Sequence, residues 1–156
     1  LNPLSVNDLC KTVYDKFIDQ ARTKSLDLRL ELAAAHPTLT ADVEQLERAL
    51  THLLRNALTH TIVGGVVLRA TAEEGKAVIE VADTGCGIAS EHLPLIFEPF
   101  YRGDDARTVT HAGVGLGLTL VRLIVEAHQG TIDVSSTLGQ GTIFRIALPM
   151  RETHAP

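Results

Sequence analysis

The sequence has no tryptophan, few other aromatic residues and only two cysteines. Phe and Tyr together make up 4% of its 156 residues, so the core has to be built mainly from Leu, Val, Ile and Ala. Cys10 and Cys86 lie far apart and form no CxxC pair, which favours free thiols in a reducing cytoplasm over a disulfide. No apolar run approaches the roughly 20 residues of a membrane span, and we expect no membrane contact by this chain.

A strong charge of either sign is also missing. The formal net charge of −5 gives no electrostatic reason to expect nucleic acid as a partner, and an anionic ligand would need local donors or a metal ion. The length and the composition, 45% hydrophobic and 21% charged, suit one globular domain. Because the chain starts at Leu1 without an initiator Met or a signal-peptide pattern, we expect a piece of a longer protein, which could itself be membrane-bound.

Hydrophobic periodicity predicts interleaved helices and strands. Apolar residues follow helical spacing in residues 7–21, 43–57 and 115–129, and strand patterns occur in residues 26–32, 66–72, 77–82, 131–135 and 142–148. Residues 83–112 are predicted to be loop with one short helical piece. The predicted fold is α/β, a two-layer sandwich with a mixed, mostly antiparallel sheet covered on one face by three helices. Residues 1–6 are predicted to be a linker tail, 7–150 the domain, and 151–156 a C-terminal tail.

Two polar patches are candidates for chemistry. Asn56 lies at the rim of the apolar face of the second predicted helix, where its amide could bond to a neighbouring backbone group or its oxygen could bind Mg²⁺, which prefers oxygen ligands. Asp83 directly follows a predicted strand and opens the pattern DxGxG. Its carboxylate could point into a pocket while Gly85 and Gly87 let the backbone approach a ligand closely. A tight loop without a binding role is the equal alternative.

Two further patches carry phenylalanines or glycines. Residues 97–102 hold two Phe around a Pro, and they could anchor a mobile loop, although a small satellite of the core is the favoured interpretation on this evidence alone. The closely spaced glycines of residues 113–118 open the third predicted helix. They expose backbone N–H groups at the positive end of the helix dipole, which is a natural phosphate site. The GxGxxG fingerprint, the P-loop and the signatures of Ser/Thr/Tyr kinases are absent.

Taken in order, the four patches resemble the N, G1, F and G2 boxes of sensor histidine kinases, within the superfamily of gyrase, mismatch-repair and chaperone ATPases. The resemblance extends to the helix after the fourth patch and to Gly139–Thr142 before the last strand, and it covers nearly the whole chain. It implies the Bergerat-type form of the predicted sandwich, with ATP and Mg²⁺ as ligands.

The resemblance also implies a role for each matching residue. Asp83 would accept a hydrogen bond from the adenine amino group, Thr142 would lie near adenine through water, and Asn56 would hold Mg²⁺ against the phosphates. Phe97 and Phe100 would seat a nucleotide lid at about residues 101–112. The implied nucleotide-binding positions are completed by Gly85, Gly87, His60, Gly113, Gly115, Gly117 and Leu118. Arg102 and Arg107 are candidates to contact the γ-phosphate, although solvation of an exposed loop is favoured for Arg107.

Three positions depart from the patterns of the family and its superfamily. Thr59 replaces a Lys that could contact phosphate, so we expect modest ATP affinity, and His60 replaces a residue that is often aromatic. His60 could stack on the nucleotide or simply lie at the surface. His52 occupies the position at which the related ATPases carry the Glu that activates water. Helix packing is the favoured role for His52.

The resemblance predicts transfer of the ATP γ-phosphate to a histidine on a dimerising helical hairpin. None of the seven histidines is followed by Asp or Glu, as the family's acceptor is, so we expect the acceptor to be absent from this chain. We further expect a monomer that serves a response regulator indirectly. The alternatives are a non-catalytic nucleotide sensor and an ATPase or serine kinase of the same superfamily.

Overall fold

The computed structural model describes residues 1–99 and 114–150, without the side chains of residues 114–116. Within these ranges lie three α-helices, α1 (Val6–Thr23), α2 (Val43–His60) and α3 (Val114–Ala127). The strands are β1 (Asn2–Ser5), β2 (Asp27–Glu31), β3 (Thr38–Ala41), β4 (Gly65–Glu73), β5 (Lys76–Asp83), β6 (Thr131–Thr137) and β7 (Gly141–Pro149), and a 3-10 turn spans Leu93–Leu95. No helix among the described residues is long and apolar enough to cross a membrane.

Side-chain caps fix where the first two helices begin. The Ser5 hydroxyl accepts a hydrogen bond from the backbone N–H of Asp8, and the Asp42 carboxylate accepts one from the N–H of Gln45. Such caps satisfy N–H groups that have no partner inside the helix. The apolar faces of both helices pack on the sheet, so capping and burial set the positions of the helices together.

Five strands form the main sheet in the order β2-β4-β5-β7-β6. β2 is parallel to β4, and every other neighbouring pair is antiparallel. The helices pack against one face of this sheet. The predicted fold class, a mixed, mostly antiparallel sheet covered by three helices, is therefore confirmed.

Cross-strand rows of apolar side chains make up the helix-facing side of the sheet, since alternate residues of a strand share a face. One row joins Leu68, Val81, Phe144 and Val134, and the next joins Ala70, Ile79, Ile146 and Ile132. Most of these side chains are buried in the core. The next row on this side, at one end of the sheet, is polar, and it marks the position of the site described below.

The prediction that residues 1–6 form a linker tail is wrong. Residues 2–5 form β1, which pairs antiparallel with β3 so that Leu4 lies opposite Leu39, and both side chains are buried. β3 is missing from the predicted strands, and it ends at Ala41, directly before the Asp42 cap of α2. Both strands have four residues, which is too short for an alternating pattern to be recognised in the sequence. Pro3 does not prevent the pairing, because proline is tolerated at a sheet edge. The predicted lid and C-terminal tail lie outside the described residues.

Candidate nucleotide-binding site

A row of three polar residues ends the helix-facing side of the sheet. Asp83 of β5 lies opposite Thr142 of β7, and Thr142 lies opposite Ser136 of β6. Their positions in the strand alternation match those of the buried apolar residues before them. Since hydrophilic residues on a core-facing side need partners, this row marks a place where the core gives way to a polar site.

The Asp83 carboxylate is held by backbone amides on one side only. Its Oδ1 accepts hydrogen bonds from the N–H of Gly85 at 2.8 Å and from the N–H of Thr142 at 3.2 Å. Its Oδ2 has no hydrogen-bond partner among the residues that the structure describes. Burial raises the pKa of Asp83 above its ordinary value, against the opposing effects of the two amides and of His60. The side chain is thus fixed in orientation with one oxygen left for a ligand.

The two glycines after Asp83 are required by close approaches of the backbone. A Cβ atom at Gly85 would lie 2.5 Å from the carbonyl oxygen of His60, and one at Gly87, where φ is +75°, would lie 2.3 Å from the carbonyl oxygen of Thr137. Any side chain would clash at these distances, and a positive φ favours glycine. The loop therefore lies wedged between the end of α2 and the turn that joins β6 to β7.

Three polar residues at intervals of one helical turn line one face of α2. They are His52, Asn56 and His60, and residues four apart share a helix face. At one end the backbone of His60 contacts the Asp83 loop, since its carbonyl accepts a hydrogen bond from the N–H of Cys86 at 3.3 Å. At the other end the His52 imidazole packs against α3. Asn56 consequently lies between the two glycine patches.

His60 is half-buried and tied to its own helix. Its Nδ1 donates to the backbone carbonyl of Asn56 at 2.9 Å, because a carbonyl can only accept. This bond places a proton on Nδ1 and fixes the orientation of the ring. Whether it contacts a nucleotide stays a prediction.

His52 packs on the first turns of α3. A Cβ atom built at Gly117 would lie 3.3 Å from His52 Nδ1, so the glycine lets the two helices approach. Burial, and then the positive charges of Arg55 and Arg48, lower the pKa of His52. Packing between helices is the role that the sequence analysis favoured for this residue.

Phe97 connects α3 to the sheet. Its backbone carbonyl accepts a hydrogen bond from the Thr119 hydroxyl at 2.7 Å, and its ring meets Phe144 edge to face with centroids 6.2 Å apart. The Arg122 guanidinium lies 5.9 Å from the centre of the same ring. Phe97 is therefore firmly packed at the point where the predicted lid segment begins.

The predicted site residues fall into three groups. The structure brings His60, Asp83, Gly85, Gly87 and Thr142 together at one end of the sheet, with Asn56 one helical turn from His60 and Gly117 against His52. Gly115 and Leu118 lie in the first turns of α3, and Leu118 packs against the core. Phe100, Arg102, Arg107 and Gly113 lie outside the described residues.

Ser136 was missed by the sequence analysis. It is the half-buried third member of the polar row, and its hydroxyl contacts Thr142 Oγ1 at 2.8 Å. The signal was present, because Ile132, Val134 and Ser136 follow period-two alternation, which puts a serine on the core-facing side of β6.

Asn56 fits the Mg²⁺ role that the resemblance implies. Its backbone carbonyl accepts a hydrogen bond from His60, and its side-chain amide makes none within the described part of the chain. The alternative of an amide satisfied by a neighbouring backbone group is therefore not seen among these residues. No group of three or more His, Cys, Asp or Glu suited to a metal ion occurs in residues 1–99 and 114–150. A single amide oxygen matches an ion that takes most of its ligands from phosphates and water.

Comparison with known proteins identifies the family. Residues 41–152 match the family described as histidine kinase-, DNA gyrase B- and HSP90-like ATPase, and the chain belongs to that family. It is 36% identical over 146 residues to the sensor histidine kinase RppB of Synechocystis sp., which is 93% of this chain and 32% of RppB. It is 37% identical over 156 residues to the sensor protein SrrB of Staphylococcus aureus, covering 96% of this chain and 27% of SrrB.

Solved structures give the same result for the fold. Full-length ShkA in complex with AMPPNP superposes with a TM-score of 0.87 at 32% identity, covering all of this chain and 32% of ShkA. The catalytic domain of the histidine kinase ThkA superposes with a TM-score of 0.82 at 26% identity, covering 95% of this chain and 94% of that domain. The chain has the fold of histidine kinase catalytic domains, and it spans about a third or less of the full-length relatives named here.

Proposed function

We propose that this chain is the ATP-binding catalytic domain of a sensor histidine kinase that transfers the γ-phosphate of ATP to a histidine outside these 156 residues. The observation that carries the proposal is the Asp83 carboxylate, fixed through Oδ1 by two backbone amides and left with a free Oδ2 among the described residues. It lies at the end of a sheet between α2 and the glycine loops. Family membership and the AMPPNP complex of ShkA support ATP as the ligand.

In this proposal each part of the site holds a different part of the nucleotide. Asp83 and Thr142 face the base, Asn56 holds the phosphates through Mg²⁺, and the first turn of α3, with Gly115 and Gly117, offers N–H groups and the positive end of a helix dipole. When bound, Mg²⁺ would neutralise negative charge on the phosphates. Phosphoryl transfer relies mainly on positioning and electrostatic stabilisation. A site that holds the base rigidly and leaves the γ-phosphate accessible to an acceptor is therefore suited to this reaction. Arg102 remains a candidate for the γ-phosphate.

The acceptor and partners belong to the proposal as well. Because no histidine in the sequence is followed by Asp or Glu, we propose that the phosphorylated histidine lies on a dimerising helical hairpin elsewhere. A response regulator would then receive the phosphate, and the domain alone would be a monomer. ATP and the free thiols favour the cytoplasm as the place of action.

Hydrolysis is a less favoured activity. The related ATPases place a Glu at the position of His52, and here that imidazole is half-buried against Gly117 with a lowered pKa. It faces a neighbouring helix, which leaves it poorly placed to activate water. We therefore expect slow phosphate release by the isolated domain.

Calorimetric titration with ATP, with and without Mg²⁺, tests the proposal. We expect Mg²⁺-dependent binding that Asp83→Asn weakens by at least about tenfold, since the amide presents a donor or a weaker acceptor to the base. Asp133→Asn, at an exposed position on β6, is the matched control and should bind like the wild type. Absence of binding at millimolar ATP would overturn the proposal.

Two assays then separate the activities. Phosphate transfer to a supplied helical hairpin from a related histidine kinase identifies the kinase. Binding without transfer identifies a non-catalytic sensor, and sustained phosphate release identifies an ATPase.

A further inference from the structure

The Ser136 hydroxyl is the centre of a small hydrogen-bond network beside Thr142. Its Oγ lies 2.7 Å from the backbone N–H nitrogen of Ile88, 2.9 Å from the carbonyl oxygen of Gly141 and 2.8 Å from Thr142 Oγ1. The network joins β6, β7 and the loop after Asp83. Two of its members, Ser136 and Thr142, belong to the polar row that forms the base end of the proposed site.

The number of protons on each group fixes which atom donates in each of these three hydrogen bonds. A serine hydroxyl has one proton and two lone pairs. The Ile88 amide can only donate to Ser136, and the Gly141 carbonyl can only accept from it. The single Ser136 proton is therefore used on Gly141, and the remaining lone pair accepts the proton of the Thr142 hydroxyl. In this arrangement all three short contacts are hydrogen bonds.

Ser136 thus takes the only proton that the Thr142 side chain can donate. Toward the site, Thr142 Oγ1 retains lone pairs alone. Beside it, the Asp83 carboxylate is an acceptor when ionised, and its Oδ2 has no partner among the described residues. Asp83 and Thr142, which form the floor of the site among the described residues, consequently offer hydrogen-bond acceptors and no donor.

We propose that Ser136 is a positioning residue for base selectivity, which holds the Thr142 hydroxyl as an acceptor and so selects a purine with a 6-amino group over one with a 6-oxo group. The inference rests on the proposed binding of ATP and deepens it. A 6-amino group donates two hydrogen bonds, and in this proposal Asp83 Oδ2 accepts one and Thr142 Oγ1 accepts the other directly, without the water that the resemblance places between Thr142 and adenine. A 6-oxo group is itself an acceptor, so facing this floor it would lose its hydrogen bonds to water without replacement.

The test compares ATP with inosine triphosphate, which carries a 6-oxo group and lacks the additional 2-amino group of guanine. In Ser136→Ala the Thr142 hydroxyl is free to rotate and to donate. We expect the ratio of ATP affinity to inosine triphosphate affinity to fall about threefold to tenfold. Ser135→Ala, the neighbouring exposed position on the other face of β6, should keep the wild-type ratio.

A merely structural role predicts a different result. Ser136→Ala also removes the bonds to Ile88 and Gly141, so its melting temperature should fall. If loosening of the loop were its only effect, both affinities would fall together and the ratio would stay constant, which would overturn the proposal. Loss of ATP binding by the wild-type chain would instead overturn the proposed function itself.

Thr142 supplies the second variant. Thr142→Val removes the hydroxyl, so we expect a reduced ratio in this variant and no further reduction when Ser136→Ala is added. If Ser136→Ala does not fold, the ratio of the two affinities is compared between Thr142→Val, which lacks the hydroxyl, and Thr142→Ser, which keeps it. We expect a lower ratio in Thr142→Val than in Thr142→Ser. A wild-type ratio in Thr142→Val would show that the hydroxyl has no part in selectivity.

Discussion

At the scale of single residues, the binding role that we propose for Asp83 comes at the expense of stability. Burial disfavours its ionised form, which is why its pKa is raised. We therefore expect Asp83→Asn, which abolishes the proposed contact to the base, to raise the melting temperature of the free domain at pH 7. The increase should be small, about 1–2 °C, because the site is partly open to solvent. Differential scanning calorimetry without nucleotide measures it.

The pH dependence of this effect has a definite sign. A carboxyl group whose pKa is raised on folding costs nothing at pH values below its ordinary value of 3.8, because it is protonated in both states. The cost appears as the pH rises through the folded-state pKa. The stability gain of Asp83→Asn over the wild type should therefore vanish toward pH 3.5 and be complete at pH 7. An Asn variant that is less stable than the wild type at pH 7 would contradict this account.

At the scale of elements, α2 and α3 meet where His52 contacts Gly117. Alanine is a better helix former than glycine by about 0.8–1.0 kcal/mol, but a Cβ at Gly117 would lie only 3.3 Å from His52 Nδ1. We expect Gly117→Ala to give little or no stabilisation in the wild type and to stabilise by up to about 1 kcal/mol in a His52→Ala background. Denaturant unfolding of the four proteins measures the coupling. Equal effects of Gly117→Ala in both backgrounds would show that the imidazole does not limit the helix approach.

The N-terminal strand is an integral element of the fold. Leu4 is 7% exposed and lies opposite Leu39. Leu4→Ala should lower the free energy of unfolding by at least about 2 kcal/mol, through lost burial and a cavity. Asn2→Ala, at an exposed position on the same strand, should have almost no effect. If the two variants unfold alike, β1 contributes no more than the tail that the sequence analysis predicted.

Long helices and strands could be predicted because their own residues repeat the hydrophobic pattern several times, whereas short strands could not. The long helices and the hairpin of β4 and β5 show several repeats of their periodicity, and the turn at Glu74–Gly75 has positive φ at both residues. β1 and β3 have four residues each, and each becomes a strand only by pairing with the other. Asp83 and Thr142 were found through motifs, whereas Ser136 belongs to none of them. Alternation along β6 puts Ser136 on the core-facing side, but its place opposite Thr142 is visible only once the register of β6 and β7 is known.

At the scale of the whole molecule, the central sheet separates two polar rows on opposite faces. On the face away from the helices, Glu31, Arg69, Glu80 and Arg145 occupy one cross-strand row over β2, β4, β5 and β7. Consecutive charges form ion pairs, with N–O distances of 2.7 Å from Arg69 to Glu31, 2.9 Å from Arg69 to Glu80 and 3.3 Å from Arg145 to Glu80. Networked pairs contribute more than isolated surface pairs.

Glu80 links the two arginines, and its side chain is 20% exposed. Glu80→Ala should therefore lower the free energy of unfolding by about 1 kcal/mol, with a smaller loss at 1 M salt because of screening. Asp15→Ala, which removes an exposed pair with Lys11, should cost almost nothing. Although Glu80 and Asp83 share β5, they face opposite sides of the sheet, so Glu80→Ala should leave ATP affinity and base selectivity unchanged. A change in either would mean that the charged face controls the geometry of the nucleotide site through the strand itself.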